Sequence, residues 1–347
     1  MPQQPSNRAL ILISRPKERC SMENFKLIEI PLQPLKAGEI RIQTAYLSVD
    51  PTNRIWMSDL PGYMPPVAIG EIMRAGGLGR VIESNSPDFK IGDYAAGLLG
   101  WQEVVTIQAS HANKIDPIEG VPLSVSLPLF LGPLGLTGLT AYFGLKHIGK
   151  PKPGETVVVS AAAGAVGSIA AQLARIAGAR VVGIAGSEEK CTWLKDVAGL
   201  DATINYRKAN NPDSFRAALQ TACPKGIDVY FENVGGETLE AVLSQINLGA
   251  RIPLCGLISQ YNEAGPVRGP RNFEQILMKR ALVQGFIILD FAAEFAAAVR
   301  ELAPLVLSGK IKHQESIVKG GLDVMVDAVN MLFDGKNSGK LLVDLSN

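Results

Sequence analysis

The 347-residue chain predicts an α/β protein of two domains, one β-rich and barrel-like, the other a doubly wound parallel sheet. Three observations carry that expectation. Residues 9–108 read as strands punctuated by Gly and Pro. From residue 156 onward, short apolar runs alternate with segments of helical spacing. Between the first such run and the first such helix lies SAAAGAVGS (160–168), a stretch with almost no side chains.

In the first third, ALILIS (9–14), FKLIEIPL (25–32), EIRIQTAYLSV (39–49), GRVIES (79–84), YAAGLLGW (94–101) and QEVVTIQ (102–108) are β-branched and partly alternating. TVVVS (156–160) then opens an alternation. Helices are expected over 168–178, 188–198, 212–222 and 237–246, with strands over 180–185, 202–206, 227–234 and 250–256. Strands alternating with helices imply βαβ units, hence a parallel sheet covered on both faces. The final segment, 320–346, reads as helix, Gly-rich turn and strand returning to the first domain. Domain one is therefore expected to be discontinuous, 1–126 with 312–347, around an inserted dinucleotide-binding domain at 127–311.

Composition excludes several classes. Hydrophobic residues make up 47% and charged residues 19%, with a net charge of +1, so no basic field points to nucleic acid or an anionic membrane. Cys20, Cys191, Cys223 and Cys255 form no C-x-x-C pair, which fits a reducing compartment rather than a disulfide framework. The start, MPQQPSNRAL, shows no secretion signal, and residues 1–7 are expected to be loose. Apolar runs fall short of the ~20 residues of a membrane span. The expectation is a cytoplasmic protein.

The strand–turn–helix context makes Ala161, Gly164 and Gly167 a dinucleotide fingerprint, A-x-x-G-x-x-G, with Ala in the first place. Gly164 lets backbone approach a pyrophosphate, and Gly167 allows close helix–strand contact. The helix N-terminus offers N–H donors to the phosphates. An acid at the end of the second strand would mark NAD. Here IAGSEEK places Gly186 and Ser187 there with Lys190 in reach, which favours a 2′-phosphate and hence NADPH. Glu188 and Glu189 argue the other way unless they face solvent at a helix start.

The motifs YLSVDPTNR, AAAGAVGS, GSEEK, NY, FENVGG, CGLISQYN, QGFII and GKNSGK run along nearly the whole chain. In that order they resemble the zinc-independent medium-chain dehydrogenases/reductases, specifically the group of prostaglandin reductase/leukotriene B4 dehydrogenase, alkenal double-bond reductase and curcumin reductase. The resemblance implies a GroES-like domain beside a Rossmann domain, an NADP(H) cofactor, and a homodimer. It implies a pyrophosphate loop at Gly164, Ala165, Val166 and Gly167, and a 2′-phosphate held by Lys190 and Tyr206. It implies further cofactor contacts at Asn233, at Cys255, Gly256, Ser259 and Tyr261, at Phe286, Ile287 and Ile288, and at Asn337.

Zinc alcohol dehydrogenases share this architecture, so a metal has to be tested. Three histidines are present, His111, His147 and His313. AIGEIM (68–73) offers Glu71 where such enzymes carry Gly-His-Glu, and LSVDP has no Cys where their first ligand sits. No metal is expected on that ligand count.

Without a metal, a nicotinamide can reduce an acceptor that is already polarised, such as an alkene conjugated to a carbonyl. Hydride then adds at the β-carbon and charge develops on the carbonyl oxygen, which calls for a donor. Tyr261 is the candidate. The family commonly reads DPYMR where this chain has DPTNR, so Thr52 and Asn53 replace an aromatic and an apolar residue. Thr52 is taken as a pocket residue, with Tyr46, Trp56 and Tyr63 as weaker candidates. An ion pair with Asp50 or another acid would explain Arg54. The function expected is NADPH-dependent reduction of α,β-unsaturated ketones or aldehydes. A quinone reductase is the near rival, and a non-catalytic NADPH-binding protein the distant one.

Overall fold

A computed structural model describes residues 6–59, 62–209, 211–265 and 267–346. The strands in chain order are β1 (Ser6–Leu12), β2 (Phe25–Pro31), β3 (Glu39–Val49), β4 (Gly76–Ser84), β5 (Tyr94–Leu98), β6 (Val104–Gln108), β7 (Asn113–Ile115), β8 (Thr156–Val159), β9 (Arg180–Ala185), β10 (Ala202–Asn205), β11 (Ile227–Phe231), β12 (Ile246–Leu254), β13 (Leu282–Gly285), β14 (Glu315–Lys319) and β15 (Lys340–Asp344). The chain divides into two compact units, 1–131 with 315–347, and 132–314.

The first unit is a largely antiparallel sheet ordered β14-β15-β3-β4-β5-β7, with β6 also pairing β3 and a β1–β2 hairpin alongside. Its core gathers Ile40, Ile42, Leu47, Met57, Met73, Trp101, Leu341 and Val343, all at most 1% exposed. The return of β15 beside β3 puts the C-terminal segment in this unit. Of the start expected to be loose, residues 1–5 lie outside the described residues. Ser6 and Asn7 are ordered in β1: the Asn7 amide donates to Gln102 Oε1 at 2.7 Å and its Oδ1 accepts from the Val104 N–H at 2.8 Å.

The unit borders differ by a few residues from the expected 126 and 312. Helix Leu123–Leu129 stays with the first unit because Leu127 is buried against Tyr46 and Leu78. Lys312 stays with the second because its N–H and C=O both bond the Gln172 side chain at 2.7 Å.

The second unit is a parallel sheet ordered β10-β9-β8-β11-β12-β13, six strands among the described residues. Val157, Val158 and Val159 are fully buried, as a central strand covered on both faces demands. The helices Ala165–Ile176, Glu188–Thr192, Pro212–Ala222 and Gly236–Leu243 follow β8, β9, β10 and β11. Chain direction across the sheet reverses between β8 and β11, the switch point where such sheets leave a crevice beyond their carboxyl ends. Among the described residues, no helix is long and apolar enough to cross a membrane.

Candidate functional site

The glycine turn leaves β8 at Ser160. Ala161 adopts φ +46°, the left-handed conformation that favours glycine, so the first fingerprint position keeps a glycine-like backbone without being glycine. The two glycines serve different ends. A Cβ on Gly167 would lie 2.3 Å from the Ala161 carbonyl oxygen and 2.9 Å from Ala162 Cα, so glycine is required for the helix to pack on the turn. Gly164 has an ordinary φ of −82°, and a Cβ there would meet only the Ala161 oxygen, at 3.1 Å. Packing tolerates a side chain at Gly164 far better, so the bare backbone serves whatever approaches from outside. Ser168 makes the first helical bond, to the Gly164 carbonyl at 3.0 Å, and the N–H groups of Ala165, Val166 and Gly167 precede it with no side-chain cap from Gly164.

Beyond β9, Ser187 caps the helix Glu188–Thr192 by accepting from the Lys190 N–H at 3.2 Å. Tyr206 lies over Gly186: a Cβ there would stand 3.0–3.3 Å from its ring and hydroxyl. The Lys190 ammonium is held below the usual lysine range, by burial first and then by the Arg207 guanidinium. Arg207 also lies 5.8 Å from the Tyr206 ring centroid. Glu188, which argued for NAD, is neutralised locally by Lys208 at 3.1 Å and Asn205 at 2.7 Å. Sequence reading missed Arg207; the signal available was a second cation next to the NY motif. Two mutually repelling cations around a tyrosine suit a phosphate dianion. A 270 Å³ cavity opens beside Tyr206, lined also by Asn211, Phe215, Thr238 and Arg271.

At the switch point, Asn233 is tied to the glycine turn. Its N–H donates to Ser160 Oγ and its amide to the Ser160 carbonyl, both at 2.8 Å. Beneath it, Glu232 is fully buried and accepts from Ser160 Oγ and the Val234 and Gly235 N–H groups. Burial pushes its carboxyl up, against the pull of those donors. The loop after β12 docks on the loop after β11. The Cys255 and Gly256 N–H groups donate to the Glu232 carbonyl, Ile258 N–H to Asn233, and Ser259 N–H and Oγ to Val234. Burial pushes the Cys255 thiol up to about 12, so it remains protonated. Tyr261 closes this loop, its hydroxyl oxygen accepting from the Leu257 N–H at 2.9 Å.

Phe286 follows β13 and is 9% exposed, edge-on to Phe231 at 6.4 Å. Ile287 and Ile288 are half-buried beyond it. The second unit thus brings together, at the carboxyl ends of its strands, every cofactor candidate except Asn337.

Asn337 and Thr52 belong to the first unit. Asn337 is buried and its amide donates to the Gly339 carbonyl in its own turn. Thr52 Oγ1 hydrogen-bonds the Tyr63 hydroxyl, and Trp56 packs near Tyr63 with ring centroids 6.5 Å apart. Tyr46 is core, 6% exposed against Leu78 and Leu127. Asn53 is also internal, bonding the Asp50 N–H and the Arg74 carbonyl. Among the described residues Arg54 takes no acid: its guanidinium donates to the Glu18 and Pro16 carbonyls. Asp50 pairs instead with buried Lys340 at 2.6 Å.

A zinc site does not fit these residues. Asp50 is committed to Lys340 and Ser48, Glu71 caps its own turn by accepting from Ala68 N–H, and His147 stacks on Phe291 with ring centroids 4.9 Å apart. No cluster of three or more His, Cys, Asp or Glu suited to a metal occurs among the described residues. A phosphorylated dinucleotide does fit: a bare turn at Gly164, a helix N-terminus, and two cations, Lys190 and Arg207, that feel each other's charge, with Arg207 over Tyr206.

Comparison with known proteins agrees. Residues 8–115 match the family described as N-terminal domain of oxidoreductase, and residues 165–304 the family described as zinc-binding dehydrogenase. The chain is 42% identical to the NADPH-dependent curcumin reductase of Escherichia coli, covering 98% of this chain and 97% of that one. It is 37% identical to the NADP(+)-dependent 2-alkenal reductase of Nicotiana tabacum, over 100% and 99%. The crystal structure of CurA from Vibrio vulnificus in complex with NADPH superposes with a TM-score of 0.90 at 39% identity, covering 98% and 99%.

Proposed function

From the premise that the chain belongs to the medium-chain dehydrogenase/reductase group of the curcumin, prostaglandin and 2-alkenal reductases, we propose that it reduces the double bond of α,β-unsaturated ketones or aldehydes. It is an NADP-dependent oxidoreductase acting on C=C bonds. Bound reduced nicotinamide supplies a hydride for the β-carbon. Gly164 to Gly167 receive the pyrophosphate on backbone N–H groups, and Lys190, Tyr206 and Arg207 take the 2′-phosphate. Asn233, Cys255, Gly256 and Ser259 border the nicotinamide ribose, Phe286, Ile287 and Ile288 the ring, and Asn337 is a further cofactor contact. Tyr261 donates a hydrogen bond from its hydroxyl to the carbonyl oxygen as that oxygen gains charge, and the α-carbon of the resulting enolate then takes a proton from solvent. Thr52 contacts substrate. Chemistry proceeds without zinc, since the residues at the zinc-ligand positions are engaged elsewhere.

The observation that carries this reading is the fixed phenol of Tyr261 on a loop anchored at the switch point. The test is Tyr261→Phe, assayed by NADPH oxidation with small enones, enals and quinones. The expected loss on enones is about 10²–10³-fold, the scale of one oxyanion donor. Undiminished turnover removes Tyr261 from the mechanism, and wild-type turnover confined to quinones replaces the acceptor.

The protein is further read as a cytoplasmic homodimer. Its four cysteines are free thiols, suited to a reducing compartment. Edge strand β13 exposes Leu282 and Val283, near Phe273, Leu277 and Met278, which are 59–72% exposed. An apolar parallel edge of this kind calls for a cover.

A further inference from the structure

We propose that Gly256 is a positioning residue for Tyr261: it carries no side chain so that the phenol hydroxyl can rest on the Leu257 amide. This rests on the reading of Tyr261 as the donor to substrate, and adds what holds that donor in place. Gly256 is not among the residues with positive φ, so its backbone admits any L-residue. What a Cβ would meet decides the matter. The Tyr261 hydroxyl oxygen would stand 3.2 Å away, closer than ordinary contact, and the Asn233 carbonyl oxygen 3.6 Å away, which is ordinary. The one tight neighbour is the hydroxyl itself.

The backbone cannot retreat from that contact. The Gly256 N–H is fixed to the Glu232 carbonyl at 3.1 Å, the preceding Cys255 N–H to the same oxygen at 2.9 Å, and the Ile258 N–H to Asn233 at 3.1 Å. The phenol is the far end of a rotatable side chain, so it would yield and move off the Leu257 N–H, now 2.9 Å away. That bond uses a lone pair of the hydroxyl oxygen and so fixes where the oxygen sits. Such a contact displaces its neighbour by a few tenths of an ångström, a fraction of the ~1 Å misplacement that costs about 10²-fold.

The alternative is that Gly256 is bare for the sake of the cofactor alone, and a double-mutant cycle separates the two. Gly256→Ala and Tyr261→Phe are made singly and together. The readouts are enone kcat, NADPH Kd by fluorescence titration, and thermal midpoint. Gly256→Ala is expected to lower kcat at saturating NADPH roughly ten-fold, with the midpoint unchanged, and to cost nothing further in kcat once Tyr261→Phe is present; because Gly256 borders the ribose, any change in Kd is expected to be the same in both backgrounds. An equal kcat loss in both backgrounds, or a Gly256→Ala chain that fails to fold, overturns the inference while leaving Tyr261 as donor. Full turnover by Tyr261→Phe alone overturns both.

Discussion

The turn after β8 and the cluster after β9 answer to different forces, although both serve one proposed ligand. The turn is governed by sterics: Gly167 is glycine because the Ala161 carbonyl occupies the space of a Cβ. The cluster is governed by charge: Lys190 and Arg207 repel each other beside Tyr206, and burial makes the repulsion costly. A steric demand is written into one residue type at one position. A charge demand is met by groups from separate strands, and only their sum matters. The turn should therefore fail by misfolding, and the cluster by losing selectivity with the fold intact.

The largest expected effect tests the cluster. Lys190→Ala and Arg207→Ala should each weaken NADPH binding by about 10–100-fold, the worth of a hydrogen bond to a charged group, and leave NADH binding nearly unchanged. Isothermal titration with both cofactors reads this, and equal losses for the two refute a 2′-phosphate site. Next in size, Gly167→Ala should destabilise the second unit by about 1–3 kcal/mol through backbone overlap, seen as a lower urea midpoint. Should it unfold like wild type, sterics do not govern the turn.

A pH titration gives a smaller effect. NADPH affinity should fall below about pH 6, as the phosphate takes up its second proton. It should fall again on the alkaline side, sooner than for an ordinary lysine, because burial and Arg207 lower the pH at which Lys190 loses its charge. NADH affinity should stay flat on both sides. The smallest effect is Gly164→Ala, expected to cost less stability than Gly167→Ala because its one tight contact, 3.1 Å to the Ala161 oxygen, is relieved by a shift of a few tenths of an ångström, while weakening both cofactors. A stability loss as large as that of Gly167→Ala would erase the distinction between the two glycines.

Much of the fold was legible because its elements are punctuated locally. Strand 39–49 and helix 212–222 fall where the pattern placed them, the helix opened by an Asn211–Ser214 capping box with Pro212 in its first turn. The helix after β8 begins at Ala165 rather than 168, because Gly164 stands at its N-cap position and small residues mask the helical period. In the first unit, local pattern misled. Tyr46 is a weaker pocket candidate by sequence, yet strand alternation turns it inward. Arg54 looked like half of an ion pair, but its partners are carbonyls 36 and 38 residues away.

The sequence by itself determined the two fold classes and the glycine turn, because each is set by residues within local strand–turn–helix units. Tertiary structure alone decided that Arg207 joins Lys190, that Asp50 meets Lys340 rather than Arg54, and that the Tyr261 hydroxyl sits against Gly256 and Leu257. Those pairings depend on through-space distance and burial, and spacing along the chain does not encode them.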